Sequence, residues 1–363
     1  MEGEVGMSAE ELAKEMQLKN EDEELLQFLE ETKPKICVVG TGGSGCNTIN
    51  RLYQMGIYGA ELIALNTDVQ HLLKVKANKK VLIGKKLTHG MGAGSNPEIG
   101  ENAAKENIKD IEKAIEGASM VFVTCGMGGG TGTGSAHIIA EAAKNMGILT
   151  IGIVTLPFYS EGRQRRKNAL EGLARLRKKC DTTIVIPNDK LLTIAPDLPL
   201  NTAFRLSDEI LAGAAKGITE LITKVGLVNL DFADVRTTLL NGGYAVIGNG
   251  ESPPDAKPGE RARLAIETAL NSPLLDADIS NANRALVNVV GGPDMTLREA
   301  EYMVTEVSKS IAKDSHIIWG ARIDEEMKKN SIRVLVLIAG AEFPEYKLEM
   351  EKLSKIDVEL DMI

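Results

Sequence analysis

At 363 residues the chain is too long for one small domain and long enough to bury an extensive core. Its 43% hydrophobic and 26% charged residues, with only 12 prolines, exclude disorder for the bulk and exclude a collagen-like repeat. The 51 acidic residues outnumber 42 basic ones; a net charge of −9 and 4% aromatic content leave no footprint for a nucleic-acid polymer.

Residues 1–34 are acidic and place Leu12, Met16, Leu25, Leu26 and Leu29 among Glu and Lys, which predicts an amphipathic helical extension closed by Pro34. From Lys35 short apolar runs alternate with helical stretches. The runs are 36–39, 62–65, 81–83, 120–124, 149–154 and 183–186; the helices fall near 45–55, 97–116, 134–146 and 163–179. That alternation predicts an α/β fold, a doubly wound nucleotide-binding domain over 35–200. A central connecting helix follows at 201–226, with Asn201 expected to cap its start and Gly226 its end. Runs at 244–247, 285–290, 316–319 and 334–339, with helices near 259–271 and 296–312, predict a second, smaller mixed α/β domain over 227–340. Residues 341–363 read as a charged tail. Cys37, Cys46, Cys125 and Cys180 form no C-x-x-C pair, the start lacks a signal-peptide pattern, and no apolar run reaches about 18 residues. A cytoplasmic chain with reduced thiols and no membrane span is expected.

Glycine is in surplus, 36 residues where ordinary usage would give about 25. Three loops concentrate it. Gly40-Thr-Gly-Gly-Ser-Gly45 follows the first strand and opens a helix, so its backbone N–H groups and the helix N-terminus suit an anion. It also satisfies G-x-G-x-x-G, and a dinucleotide-dependent oxidoreductase or simple tight packing would explain it equally well. No G-x-x-x-x-G-K-[ST] occurs, which excludes a P-loop. The second loop, Gly126-Met-Gly-Gly-Gly-Thr-Gly-Thr-Gly134, leaves so little side chain that the backbone itself must approach something closely, with threonine hydroxyls as added donors. The third, Gly90-Met-Gly-Ala-Gly-Ser-Asn96-Pro97, is read as ending a strand region and opening a helix at Pro97. Three such loops at one sheet edge can enclose several phosphates.

GGGTGTG is the signature of the tubulin and FtsZ family, and the chain resembles the FtsZ branch over about residues 35–340. Asn66-Thr67-Asp68, LPFYSEGRQRR, Ile186-Pro187-Asn188-Asp189 and NLDFADVRT carry the resemblance further. It implies a GTP-binding domain of tubulin/FtsZ type that holds GTP or GDP, with Mg2+ expected beside the phosphates. It places Gly42, Gly43, Ser44, Gly45, Asn47 and Asp68 at the nucleotide, with Gly128, Gly129, Gly130, Thr131, Gly132, Thr133 and Gly134 as the main phosphate cradle. Gly92, Ala93, Gly94 and Asn96 approach the γ-phosphate side. Glu161 and Arg165, four apart at a helix start and so on one face, match the ribose pair. Arg163, Arg166 and Lys167 read as a solvated basic face. Asn188 and Asp208 match the guanine-reading positions, where a carboxylate accepts from N1–H and the exocyclic amine. Phe204 would stack on the base, although an ordinary core aromatic fits as well.

Asp231 and Asp234 are paired carboxylates in a loop after the long helix; they either cap a turn or serve hydrolysis. The helix carries them away from their own glycine loops, and the resemblance implies that they complete the neighbouring subunit's site in a head-to-tail homopolymer. A heterologous contact that does not close makes a filament. The implied function is a cell-division GTPase forming a cytokinetic ring at mid-cell, assisted by membrane-anchoring and ring-regulating proteins. A tubulin-like cell-shape GTPase and a non-catalytic scaffold are the alternatives. The short tail, EFPEYKLEMEKLSKIDVELDMI, departs from the long linker of many bacterial relatives, and an archaeal relative would fit. The four histidines have no metal-ligand spacing.

Overall fold

The computed structural model describes residues 33–349, apart from 195, 196, 198, 225, 229, 254, 255, 258, 276, 329, 330, 345, 347 and 348. The expected N-terminal helical extension and the end of the tail therefore lie outside the described residues.

Ten strands form one sheet: β1 (Ile36–Thr41), β2 (Ala60–Asn66), β3 (Lys79–Leu82), β4 (Met120–Gly126), β5 (Leu149–Leu156), β6 (Thr182–Pro187), β7 (Gly243–Glu251), β8 (Arg284–Gly291), β9 (His316–Ile323) and β10 (Ile332–Ala341). Their order is β3-β2-β1-β4-β5-β6-β7-β10-β8-β9. From β3 to β7 every pairing is parallel; β10 alone runs against its neighbours. The order 3-2-1-4-5-6 is that of a doubly wound fold, and the strand order reverses between β1 and β4. The second half is not a separate sheet, because β7 pairs with β6 at Thr182 with Gly243.

The helices are α1 (Gly42–Met55), α2 (Val69–Lys74), α3 (Lys85–Thr88), α4 (Pro97–Glu106), α5 (Ile108–Ala114), α6 (Thr131–Asn145), α7 (Arg163–Lys179), α8 (Asn188–Ile194), α9 (Leu200–Thr223), α10 (Phe232–Leu239), α11 (Arg261–Leu270) and α12 (Leu297–Ser310). Side chains alternate between faces along a strand, so Cys37 and Val39 join one core while Ile36 and Val38 join the other. The first core takes buried residues from α4 to α7, α11 and α12; the second takes them from α1, α9 and α10. Cover on both faces is why the strands read as unbroken apolar runs.

Three expectations are corrected. The helix expected at 97–116 breaks at Asn107, whose side chain accepts the Gly84 N–H (2.8 Å) and donates to Asp110 (2.7 Å). The central helix is a residue longer at its start, with Pro199 rather than Asn201 at the N-cap, and it ends at Thr223 with Lys224 as cap. Gly226 serves packing instead, since a methyl there would stand 2.6 Å from the Ala321 carbonyl oxygen. Finally, the loop at Gly90 follows the short helix α3, not a strand.

Candidate functional site

The loops after β1, β4, β5 and β6 all lie at the carboxyl edge of the parallel strands, and the first two straddle the reversal point. Both open long helices whose N-termini lack a side-chain cap: Thr41 before α1 and Gly130 before α6 make none. Neither helix has an acidic residue in its first turn, so two positive dipole ends and their unpaired N–H groups are left for an anion. By contrast α4 and α2 are capped by their own chain. Asn96 accepts from the Glu98 N–H (2.9 Å), and Asp68 from the His71 N–H (3.0 Å).

The glycines of the cradle divide into two kinds. Some are needed because loop meets loop: a methyl on Gly134 would lie 2.0 Å from the Pro97 carbonyl oxygen, on Gly42 2.7 Å from the Gly132 nitrogen, and on Gly45 2.4 Å from the Thr124 carbonyl oxygen. Gly130 is crowded by Ala93 and Asn96, Gly128 by Arg165, and Gly132 by Cys125 and Thr41. Gly43, Gly92, Gly94 and Gly129 face open space. The threonines divide in the same way. Thr133 turns inward to accept the Gly128 N–H (2.8 Å), whereas Thr131 meets Thr67 hydroxyl to hydroxyl (2.7 Å) at the edge of the cradle.

Beside the cradle is a cavity of about 240 Å³ lined by Gly43, Ser44, Asn47, Glu161, Arg165, Asn188, Phe204 and Asp208. These eight expected residues are thus brought together. Gly126 and Met127, the start of the second glycine loop, complete the wall with Thr155, Pro157 and Ser207, which were not singled out as site residues. Thr155 and Pro157 follow directly from their place at the end of β5, the position where parallel sheets hold ligands. Phe204 is 39% exposed and meets Phe158 edge-on at 5.6 Å, so it is not an ordinary core aromatic. Glu161 ends a 3-10 turn, Tyr159–Glu161, rather than starting a helix; it accepts the Phe158 N–H (2.8 Å) and pairs with Arg165 at 2.9 Å.

Asp208 accepts from Ser44 (3.3 Å), and burial pushes its carboxyl up to about 7 despite that bond and a second from Asn47. Asn47 is itself held by His71, 3.1 Å away, whose other ring nitrogen meets Asn66 at 3.1 Å. His71, given no part on sequence grounds, therefore orients a pocket residue. Asn188 is buried, its Oδ1 accepting from Ser207 (2.9 Å).

Arg166 corrects the expected solvated face. It is 5% exposed and donates to both carboxylate oxygens of Glu349 and to the Pro157 carbonyl. Arg163 is exposed, and Lys167 is half-buried.

Asp231 and Asp234 lie at the other edge of the sheet. Asp231 caps α10, accepting the Asp234 N–H at 2.8 Å, and Asp234 reaches back to the Asp231 N–H at 3.4 Å. The far end of α10 sits at the start of β6, where Thr182 donates to the Leu239 carbonyl. Asn188 follows the end of that strand, so the six residues of β6, about 20 Å, separate the two edges. α9 spans the same distance, about 22 Å at 1.5 Å per residue, from Asp208 beside the pocket to Thr223 against Tyr58.

A doubly wound sheet whose uncapped helix N-termini are open to an anion beside a base-sized cavity fits a GTPase of the tubulin and FtsZ type, and the comparisons agree. Residues 35–196 match the Tubulin/FtsZ family, GTPase domain, and residues 243–342 the FtsZ family, C-terminal domain. The chain belongs to the FtsZ family. Cell division protein FtsZ 1 of Archaeoglobus fulgidus is 56% identical over 324 residues, 89% of this chain and 87% of that one. Its counterpart in Methanocaldococcus jannaschii is 54% identical over 343 residues, 93% of each. The solved FtsZ dimer of M. jannaschii, 55% identical, superposes with a TM-score of 0.83 over 88% of this chain and 92% of that one. CetZ2 from Haloferax volcanii, solved as a GTPγS-bound protofilament, shares the fold at 22% identity and a TM-score of 0.78 over 90% and 99% of the two chains. The G-x-G-x-x-G match is thereby absorbed into a GTPase loop rather than a dinucleotide fingerprint. No helix among the described residues is long and apolar enough to cross a membrane.

Proposed function

We propose that this GTPase polymerises head to tail in the cytoplasm, hydrolysing GTP between copies and building a division ring at mid-cell. Residues 35–200 hold the nucleotide together with the first turns of α9, α9 spans the chain, and 227–340 present the activating face. The observation that carries the reading is the separation of two half-sites. The loops 42–45, 92–96 and 128–134 contain no carboxylate, while Asp231 and Asp234 stand at the opposite edge of the sheet. Stacking one copy on the next closes that gap, and a heterologous contact of this kind continues into a filament. The dimer of the M. jannaschii relative supports self-association.

In this reading Gly43, Gly92, Gly94 and Gly129 leave room for the phosphates, and the N-termini of α1 and α6 stabilise their charge. Asp208 and Asn188 read guanine, Phe204 stacks on it, and Glu161 with Arg165 holds the ribose. The incoming Asp231 and Asp234 orient the attacking water, the part that phosphoryl transfer leaves to the protein. Among the described residues no cluster of three or more His, Cys, Asp or Glu could hold a metal ion. Mg2+, when bound with the nucleotide, would neutralise phosphate charge. Membrane-anchoring and ring-regulating proteins are the expected further partners.

Dilution tests the reading: turnover per chain should collapse below the concentration at which filaments sediment with GTP, and turnover that stays constant on dilution overturns it. Because Asp231 also caps α10, Asp231→Asn with Asp234→Asn is the cleaner substitution. It keeps a capping side chain, and it should bind GTP normally while hydrolysing it about 100-fold or more slowly.

A further inference from the structure

Arg166 is the most enclosed cation near the pocket, and its partner comes from the far end of the chain. Its Nε and Nη2 donate to Glu349 at 2.8 and 2.9 Å, a bidentate pair. Its Nη1 donates to the Pro157 carbonyl at 3.2 Å, and the guanidinium lies over the Tyr159 ring at 4.5 Å. Pro157 is itself pocket wall, and Phe158 between them packs on Phe204. The segment that delivers Glu349 is anchored on the second half of the chain. Phe343 and Tyr346 are buried and stacked at 4.8 Å, and Phe343 meets Tyr244 of β7 edge-on at 5.7 Å. Residues expected to form a charged tail thus bridge β7 to the nucleotide wall.

A second carboxylate waits on the other side of the same guanidinium. Asp189 Oδ2 is buried without a hydrogen bond, 3.7 Å from Arg166 Nη1, while its Oδ1 accepts the Tyr159 N–H at 3.0 Å. Two acids therefore compete for one cation. One guanidinium thus holds Glu349 and braces Pro157 while Asp189, next to Asn188, stands 3.7 Å from it.

We infer that the chain end carrying Phe343, Tyr346 and Glu349 is a strap on the nucleotide pocket: Glu349, acting through Arg166, positions the wall Pro157–Glu161 for the nucleotide, and without Glu349 the guanidinium closes on Asp189 and the wall moves with it. Glu349 and Arg166 are positioning residues; neither lines the cavity. The inference rests on the guanine-nucleotide reading of that cavity and gives it a control: whatever displaces the strap loosens the nucleotide.

The test is a titration of the full-length chain with a fluorescent GDP analogue, paired with thermal unfolding of the ligand-free protein. Glu349→Ala should weaken GDP about five- to tenfold, Glu349→Gln less, and Arg166→Met about as much as Glu349→Ala. The double substitution should lose no more than the larger single one, because the two act as one unit. A lowered Tm with unchanged GDP affinity in Glu349→Ala would mean a purely structural pair and overturns the strap. Should Arg166→Met fail to fold, the two Glu349 variants decide alone. Failure of the unsubstituted chain to bind GDP overturns the nucleotide reading itself, an outcome distinct from equal binding by all variants.

Discussion

The carboxyl of Asp208 sits where burial outweighs the hydrogen bonds from Ser44 and Asn47, which raises it to about 7. An acid raised in the folded state costs stability as pH increases. Between about pH 4, where the unfolded chain releases its proton, and about pH 7, where the folded chain does, stability falls; above that it levels off. Asp208→Asn removes the penalty. The ligand-free variant should therefore melt above the unsubstituted chain at high pH and alongside it near the low-pH end of that window. In the proposed base-reading role guanine should act in the opposite direction, its N1–H and exocyclic amine donating to the ionised form and pulling the carboxyl back down. GTP binding at mildly acidic pH should release a proton, visible as a buffer-dependent heat in calorimetry, and affinity should rise with pH toward neutrality. In Asp208→Asn the proton release should vanish and affinity should fall about ten- to 100-fold; a buffer-independent heat in the unsubstituted chain would remove Asp208 from the base site. That Asp208 lines the cavity was legible through the family resemblance. Arg166 was not, because a basic residue in Arg-Gln-Arg-Arg-Lys looks solvated until the fold delivers Glu349 from the far end of the chain.

The glycine loops were legible as elements but not in their division of labour. Six glycines in nine positions say that backbone approaches something, and for Gly134 that something is the Pro97 carbonyl of α4 rather than a phosphate. No local pattern encodes that contact, since it depends on how α4 and α6 cross. Two substitutions separate the kinds. Gly134→Ala drives a methyl into the backbone of the first turn of α4, 2.0 Å from the Pro97 oxygen and 2.5 Å from the Glu101 nitrogen. It should lower stability by about 2–3 kcal/mol or prevent folding. Gly43→Ala meets nothing within 4 Å, and its backbone is an ordinary early helical turn. The ligand-free protein should be unchanged or stabilised by up to about 1 kcal/mol, while affinity for GTP falls. Melting curves with and without nucleotide read both, and a destabilised Gly43→Ala with normal affinity would reverse the assignment. The strands were legible for a related reason: a parallel sheet covered on both faces needs apolar residues throughout. The break at Asn107 was not, because it depends on one side chain reaching the Gly84 N–H across the fold.

At the scale of the whole molecule, the sheet and α9 space the pocket from Asp231 and Asp234, which the proposed function makes two halves of one reaction centre. The pocket lies at the carboxyl edge, the carboxylates about a strand's length away at the other, and β7 pairing with β6 holds the distance fixed. A hinge between the halves would let one chain bring its own acids to its own nucleotide; a shared sheet opposes that. The geometry consequently predicts complementation between two defective chains. Asp231→Asn with Asp234→Asn retains the pocket and lacks the acids, while Asp208→Ala retains the acids and holds GTP poorly. Each alone should turn over GTP slowly. Mixed, the first should supply the nucleotide and the second the carboxylates, so the rate should exceed the sum of the separate rates and peak near an equal mixture. Sedimentation must show both chains in the same pellet. If they copolymerise and the rates merely add, the acids serve their own chain or none, and the reading of Asp231 and Asp234 as residues acting on a neighbour's nucleotide fails.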